Sequence, residues 1–181
     1  MSTYTLTAAR RAAYAELFDF RTQVVRAARQ ILSAGGIEAV GPGEGVAQVP
    51  RYFISVDYAR GGALGRKQPI PLSAGRAYEY SSFAGILTVM VTVPMETDEK
   101  DGTAYLTETH ARTLDETTAT VHTLFMEHLE PFTAVLLPKL DVQELVPIDP
   151  DERPEAEREI NTVRLRWRLR IDIRPSAWPT T

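Results

Sequence analysis

The stretch Ile160-Asn-Thr-Val-Arg-Leu-Arg-Trp-Arg-Leu-Arg-Ile-Asp-Ile-Arg174 decides the fold. Val163, Leu165, Trp167, Leu169, Ile171 and Ile173 alternate with Arg164, Arg166, Arg168, Arg170, Asp172 and Arg174. A period of two puts every apolar side chain on one face of a strand and every charge on the other. Fifteen residues in extended conformation span about 50 Å, well beyond a typical strand. The strand therefore bends through its sheet or projects toward a neighbour.

Working outward, Leu140 to Ile148 reads as a partner strand, with Leu140, Val142, Val146 and Ile148 in phase. Glu144 breaks the phase, which predicts a bulge near it. Asp149 to Glu159 is acidic and punctuated by proline, hence a loop. Arg76 to Met95 is another strand. Leu87, Val89, Val91 and Val93 face one way, and Ile86, Thr88, Met90 and Thr92 the other. Both faces are fairly apolar, as for a central strand or one that meets another subunit. In Val49 to Ala59, Tyr52, Ile54, Val56 and Tyr58 share a face. Between these two strands, Gly61 to Gly75 carries four glycines and two prolines beside Arg60, Arg66 and Lys67. It reads as a long loop, of a length that is often functional or ordered by a partner.

Two helices complete the pattern. Leu17, Val24, Ala28 and Ile31 define a helix over about Ala8 to Ser33, stopped by Gly35 and Gly36. Leu106, His110, Leu114, Val121, Leu124 and Phe125 define another over Thr103 to Glu130, limited by Pro131. A further helical turn is expected at Phe132 to Leu136, and Glu96 to Gly102 reads as a charged turn. The order α-β-β-α-β-β predicts an α+β fold, with an antiparallel sheet of about four strands and two long helices on one face. The 181 residues fit a single domain, with an extended loop over 60–76 and a long closing strand over 160–174.

Composition removes several functional classes. There is no cysteine, so disulfides, thiol catalysis and cysteine-held metals are excluded. The net charge of -4 gives no general drive toward nucleic acid or an anionic membrane. The N-terminal Met1-Ser-Thr-Tyr-Thr-Leu-Thr has no apolar core behind a basic start, and no apolar run approaches membrane-spanning length. A soluble protein with no membrane partner is expected. His110, His122 and His128 are twelve and six residues apart, not the three or four that suit metal ligation on one helix. Gly41-Pro-Gly-Glu-Gly45 precedes a strand where a dinucleotide loop would follow one. Gly61-Gly-Ala-Leu-Gly-Arg-Lys67 lacks the phosphate-loop spacing. No nucleophile elbow is present, and Asp115-Glu116 and Asp149/Asp151 read as solvated acids. No enzyme activity, metal or cofactor is expected.

The arginine ladder is the remaining candidate. Arg164, Arg166, Arg168 and Arg170 share one sheet face. They suit a solvated face that discourages aggregation, or contact with phosphate along a channel. They also suit a subunit interface in which Asp141, Glu144, Glu157 or Glu159 supply the acids. Arg60, Arg66 and Lys67 join the candidate interface, or would form an anion site in a ligand-binding domain.

The element order resembles that of the tail terminator (tail completion) proteins of long-tailed bacteriophages. The early Leu17-Phe-Asp-Phe-Arg21 and the ending Leu169-Arg-Ile-Asp-Ile-Arg-Pro-Ser-Ala-Trp-Pro179 are similar to segments of small phage neck and tail proteins. The resemblance implies a non-enzymatic virion protein, assembled in the host cytoplasm. It implies a homohexameric ring that caps the tail tube and joins it to the head-side connector (stopper) protein. Its partners would be other copies of itself, the tube protein and the connector, with passing contact with DNA in the lumen. Another neck or head–tail connector protein is the neighbouring expectation.

Overall fold

The structure, a computed structural model, describes residues 7–39, 52–64, 82–127, 137–148 and 160–177. The elements in chain order are α1 (Ala8–Phe18), α2 (Phe20–Ala34), β1 (Phe53–Leu64), β2 (Ser82–Thr92), β3 (Glu96–Thr97), β4 (Ala104–Tyr105), α3 (Glu108–Glu127), β5 (Leu140–Pro147) and β6 (Thr162–Ile173). A short 3₁₀ turn follows at Pro175–Ala177. The fold is α+β. Four antiparallel strands run in the order β1-β2-β6-β5, and a separate two-stranded hairpin pairs β3 with β4.

The alternation read in the closing strand sets the core. Trp167, Leu169, Ile171 and Ile173 are buried on the inner face of β6. Opposite them in register stand Leu87, Gly85 and Phe83 of β2 on one side and Leu140, Val142 and Leu145 of β5 on the other. Ile54, Val56 and Tyr58 of β1 extend the same layer. Helix α2 packs on β1, and α3 packs on β6 and β2. Phe20, Val24, Ala27, Ala28 and Ile31 form the buried stripe of α2, at helical spacing. Leu114, Val121 and Phe125 do the same for α3, where the Phe125 ring lies 4.8 Å from that of Trp167.

Three expectations are corrected. The first helix is two. At Asp19 the backbone leaves helical geometry (φ −80°, ψ 64°), and its carboxylate accepts the Thr22 N–H at 3.2 Å. Asp19 thus caps α2, an N-cap role for which its short acceptor is suited. The apolar spacing passes through the break and hides it. At the far end Gly36 takes φ +76°, while Ile37 N–H donates to the Leu32 carbonyl at 2.9 Å and Gly36 N–H to that of Ser33 at 3.0 Å. This closes the helix with its orphan carbonyls satisfied.

The second correction concerns β1, which runs on to Leu64. Arg60 to Leu64 pairs with β2 through a register shift between Arg60 and Ala63, so this part of the expected loop is strand. The rest of that loop, the turn at 132–136, Pro131 and His128 lie outside the described residues. Third, the charged turn is a hairpin and the second long helix begins later. Glu96 and Thr97 pair with Tyr105 and Ala104, and α3 starts at Glu108 behind Thr107, whose hydroxyl accepts the His110 N–H.

Candidate interaction face

All the described helices lie on the inner side of the sheet. The outer face, where the arginine ladder sits, has no helix over it among the described residues. Its make-up follows from register. Across the β2–β6 pair, Met90 stands opposite Arg164, Thr88 opposite Arg166, Ile86 opposite Arg168 and Ala84 opposite Arg170. The Arg164 guanidinium Nε lies 3.1 Å from the Met90 sulfur. The four arginines are brought onto one face, as the alternation requires.

On the other side of β6 the expected bulge falls between Val142 and Glu144. It resets the alternation of β5. Leu140 and Val142 point inward, Leu145 points inward after the bulge, and Val146 points outward opposite Arg168. The expected phase of Val146 with Leu140 and Val142 is therefore wrong. The extra residue moves Val146 to the arginine side. Arg168 is exposed and lies between Ile86 (39% exposed) and Val146 (43% exposed). Arginine is among the residues enriched in protein interfaces, and the exposed aliphatic side chains beside it add apolar area.

The acids segregate to one end. Glu144 stands opposite Arg170, and Asp141 opposite Asp172, which is buried. Two of the four acids expected to meet the ladder thus belong to the adjacent strand of the same chain. Glu157 and Glu159 lie outside the described residues. Arg164 and Arg166 take part in interactions of their own and are half-buried, whereas Arg168 is exposed.

Arg60 belongs elsewhere. It lies on β1, with its guanidinium 5.2 Å from the Phe20 ring centroid and 4.7 Å from that of Phe83. It caps an aromatic cluster completed by Phe18, whose ring meets Phe83 edge-on at 6.0 Å. Arg66 and Lys67 lie outside the described residues. His110 is half-buried on α3. His122 is exposed, with its ring 6.5 Å from that of Trp167. Among the described residues no group of His, Asp and Glu could hold a metal ion, and no helix is long and apolar enough to cross a membrane.

The sequence reading missed the hairpin as a structural element. Residues 96–105 are all exposed, yet the tip is held by its own bonds. Asp98 N–H donates to the Thr103 carbonyl, and Gly102 N–H to that of Asp98, both at 2.9 Å. The Asp98 carboxylate accepts the Lys100 N–H and the Asp101 carboxylate the Thr103 N–H, both at 2.8 Å. Gly102 takes φ +72°. The bonds from Thr103 lower the Asp101 pKa. The Tyr105 hydroxyl donates to Glu96 at 3.1 Å, and the bond and charge of Glu96 raise the Tyr105 pKa. The Asp-Glu-Lys-Asp-Gly tip was the available signal, because such residues favour tight turns.

Compared with family models, with curated proteins and with solved structures, the chain finds no match.

Proposed function

We propose that the protein is a non-enzymatic structural subunit of a phage tail, a tail terminator whose copies form a ring capping the tail tube. In this reading the ring also meets the head-side connector. The observation that carries it is on the outer sheet face, over which no described helix packs: Arg168 is set between exposed Ile86 and Val146. Such a patch suits burial against another protein. The element order supports the assignment to a tail terminator in particular. A ring needs two different surfaces on each subunit, and a sheet whose described helices pack on one face and whose other face carries the arginines provides unlike surfaces. An anion-binding domain built on Arg60 has less support, since that guanidinium is already seated over two rings.

Native mass spectrometry of the full chain, alone and with the tube protein, tests the reading. A closed oligomer, probed for six copies, is expected under at least one condition. A monomer under both would overturn it. Arg166→Glu with Arg168→Glu is expected to abolish the oligomer while circular dichroism still reports a folded chain. Normal assembly of that variant would remove the outer face from the interface.

A further inference from the structure

Strand β1 ends the sheet, and among the described residues only β2 pairs with it. The outer side of such a strand is a template for pairing with another chain. At Tyr58 that side is occupied from within. Val56 and Tyr58 are buried on the inner face, which turns Asp57 between them outward. The Asp57 carboxylate folds back on the backbone and accepts the Tyr58 N–H at 2.7 Å. The same oxygen accepts Arg21 Nε at 2.9 Å. Arg21 belongs to α2, which packs on the inner side of β1. An ion pair between a helix of the inner layer and an outward-turned carboxylate has to pass around the edge of the strand. Backbone N–H groups in an antiparallel strand serve its two sides in turn, and the one that Asp57 holds is on the side away from β2.

The sequence of this strand makes the position matter. Phe53-Ile-Ser-Val-Asp-Tyr-Ala59 has one charge, Asp57, and neither proline nor glycine. Without that charge it is a seven-residue run of the kind that stacks edge to edge. The opposite edge of the sheet is blunted by other means. Strand β5 carries the bulge between Val142 and Glu144 and ends at Pro147, which has no N–H to offer. We propose that Asp57, held in place by Arg21, closes the β1 edge to strand pairing with a second copy of this chain. The closure leaves the two faces of the sheet available for contacts, and it stands whether or not the chain belongs to a tail.

The test compares full-length wild type with Asp57→Ala, Arg21→Ala and Glu99→Ala. The last removes an equal charge from the exposed hairpin, away from β1. Amide hydrogen exchange at Tyr58 is read by NMR, and assembly by sedimentation velocity and thioflavin T fluorescence. Thermal melting checks that each variant is folded. In Asp57→Ala the Tyr58 amide is expected to exchange at least about tenfold faster, as loss of a bond to a charged acceptor implies. The same variant is expected to form thioflavin-positive assemblies larger than any wild-type species. Arg21→Ala should move both readouts the same way but less, because Asp57 still accepts the N–H. Glu99→Ala should match wild type. A wild-type Tyr58 amide that exchanges as in an unfolded chain would overturn the proposal. So would a folded Asp57→Ala that stays at wild-type size, or a Glu99→Ala that assembles as readily as Asp57→Ala. If Asp57→Ala does not fold, Asp57→Thr, which favours strand and carries no charge, is read in the same way.

Discussion

Tyr58 lies across Gly85. A β-carbon built on Gly85 would stand 2.0 Å from the Tyr58 hydroxyl oxygen and 2.3 Å from the ring carbon that bears it. Gly85 is on the central strand β2, facing inward, and the bare backbone there makes room for a ring from the neighbouring strand. Gly85→Ala should therefore lower stability by about 1–3 kcal/mol through overpacking. Tyr58→Val removes the clashing ring at the cost of a cavity. The double variant should be less destabilised than the sum of the two, since residues in contact couple. Urea denaturation of the four proteins checks this, and strict additivity would mean that the two sites do not touch.

The same tyrosine predicts an alkaline limit to stability. Burial pushes the Tyr58 pKa up to about 12, against a smaller opposing effect of Arg60. In the unfolded chain it titrates near 10. The protonated form is thus favoured by folding. Its contribution is fully present below about pH 10 and is lost as pH rises toward 12, by up to about 2–3 kcal/mol. Among the described residues the buried hydroxyl has no hydrogen-bond partner. Tyr58→Phe should accordingly stay within about 1 kcal/mol of wild type at neutral pH. Between pH 10 and 12 it should lose less stability than wild type does. Denaturation across that range, with tyrosinate absorbance followed in parallel, decides it.

Trp167 anchors the core under α3. It is buried, packs against Phe125 with the two rings tilted by 34°, and stands opposite Leu87 in register. Trp167→Ala should cost about 3–5 kcal/mol. Trp167→Phe should cost less, because the indole N–H has no partner among the described residues and only volume is lost. A mild effect of the alanine variant in thermal unfolding would mean that the inner face is not the core.

Trp167 also shows what a sequence can reveal. Its burial and the outward turn of the arginines follow from alternation alone, because one face of β6 must leave water. The bulge in β5 was visible as a break in phase at Glu144. Its consequence was not, because placing Val146 beside Arg168 depends on register between strands far apart in sequence. The break at Asp19 was masked because Leu17 and Val24 keep a spacing of seven across it. The hairpin strands are two residues each, too short for any periodicity to register. Arg60 was grouped with basic loop residues by proximity in sequence. Its true neighbours, Phe20 and Phe83, come from α2 and β2.

Arg60 therefore separates packing from binding. A guanidinium over an aromatic face is worth about 0.5–1 kcal/mol at an exposed site, and here two rings share it. Its stem also covers apolar surface. Arg60→Ala should lower stability by about 1 kcal/mol, and Arg60→Met, which keeps the stem, by less. Neither should alter oligomeric state, because the guanidinium is spent on Phe20 and Phe83 rather than offered to another subunit. Chemical denaturation and sedimentation on both variants measure the two effects separately. Unchanged stability together with lost assembly would move Arg60 from the aromatic cluster to the subunit contact.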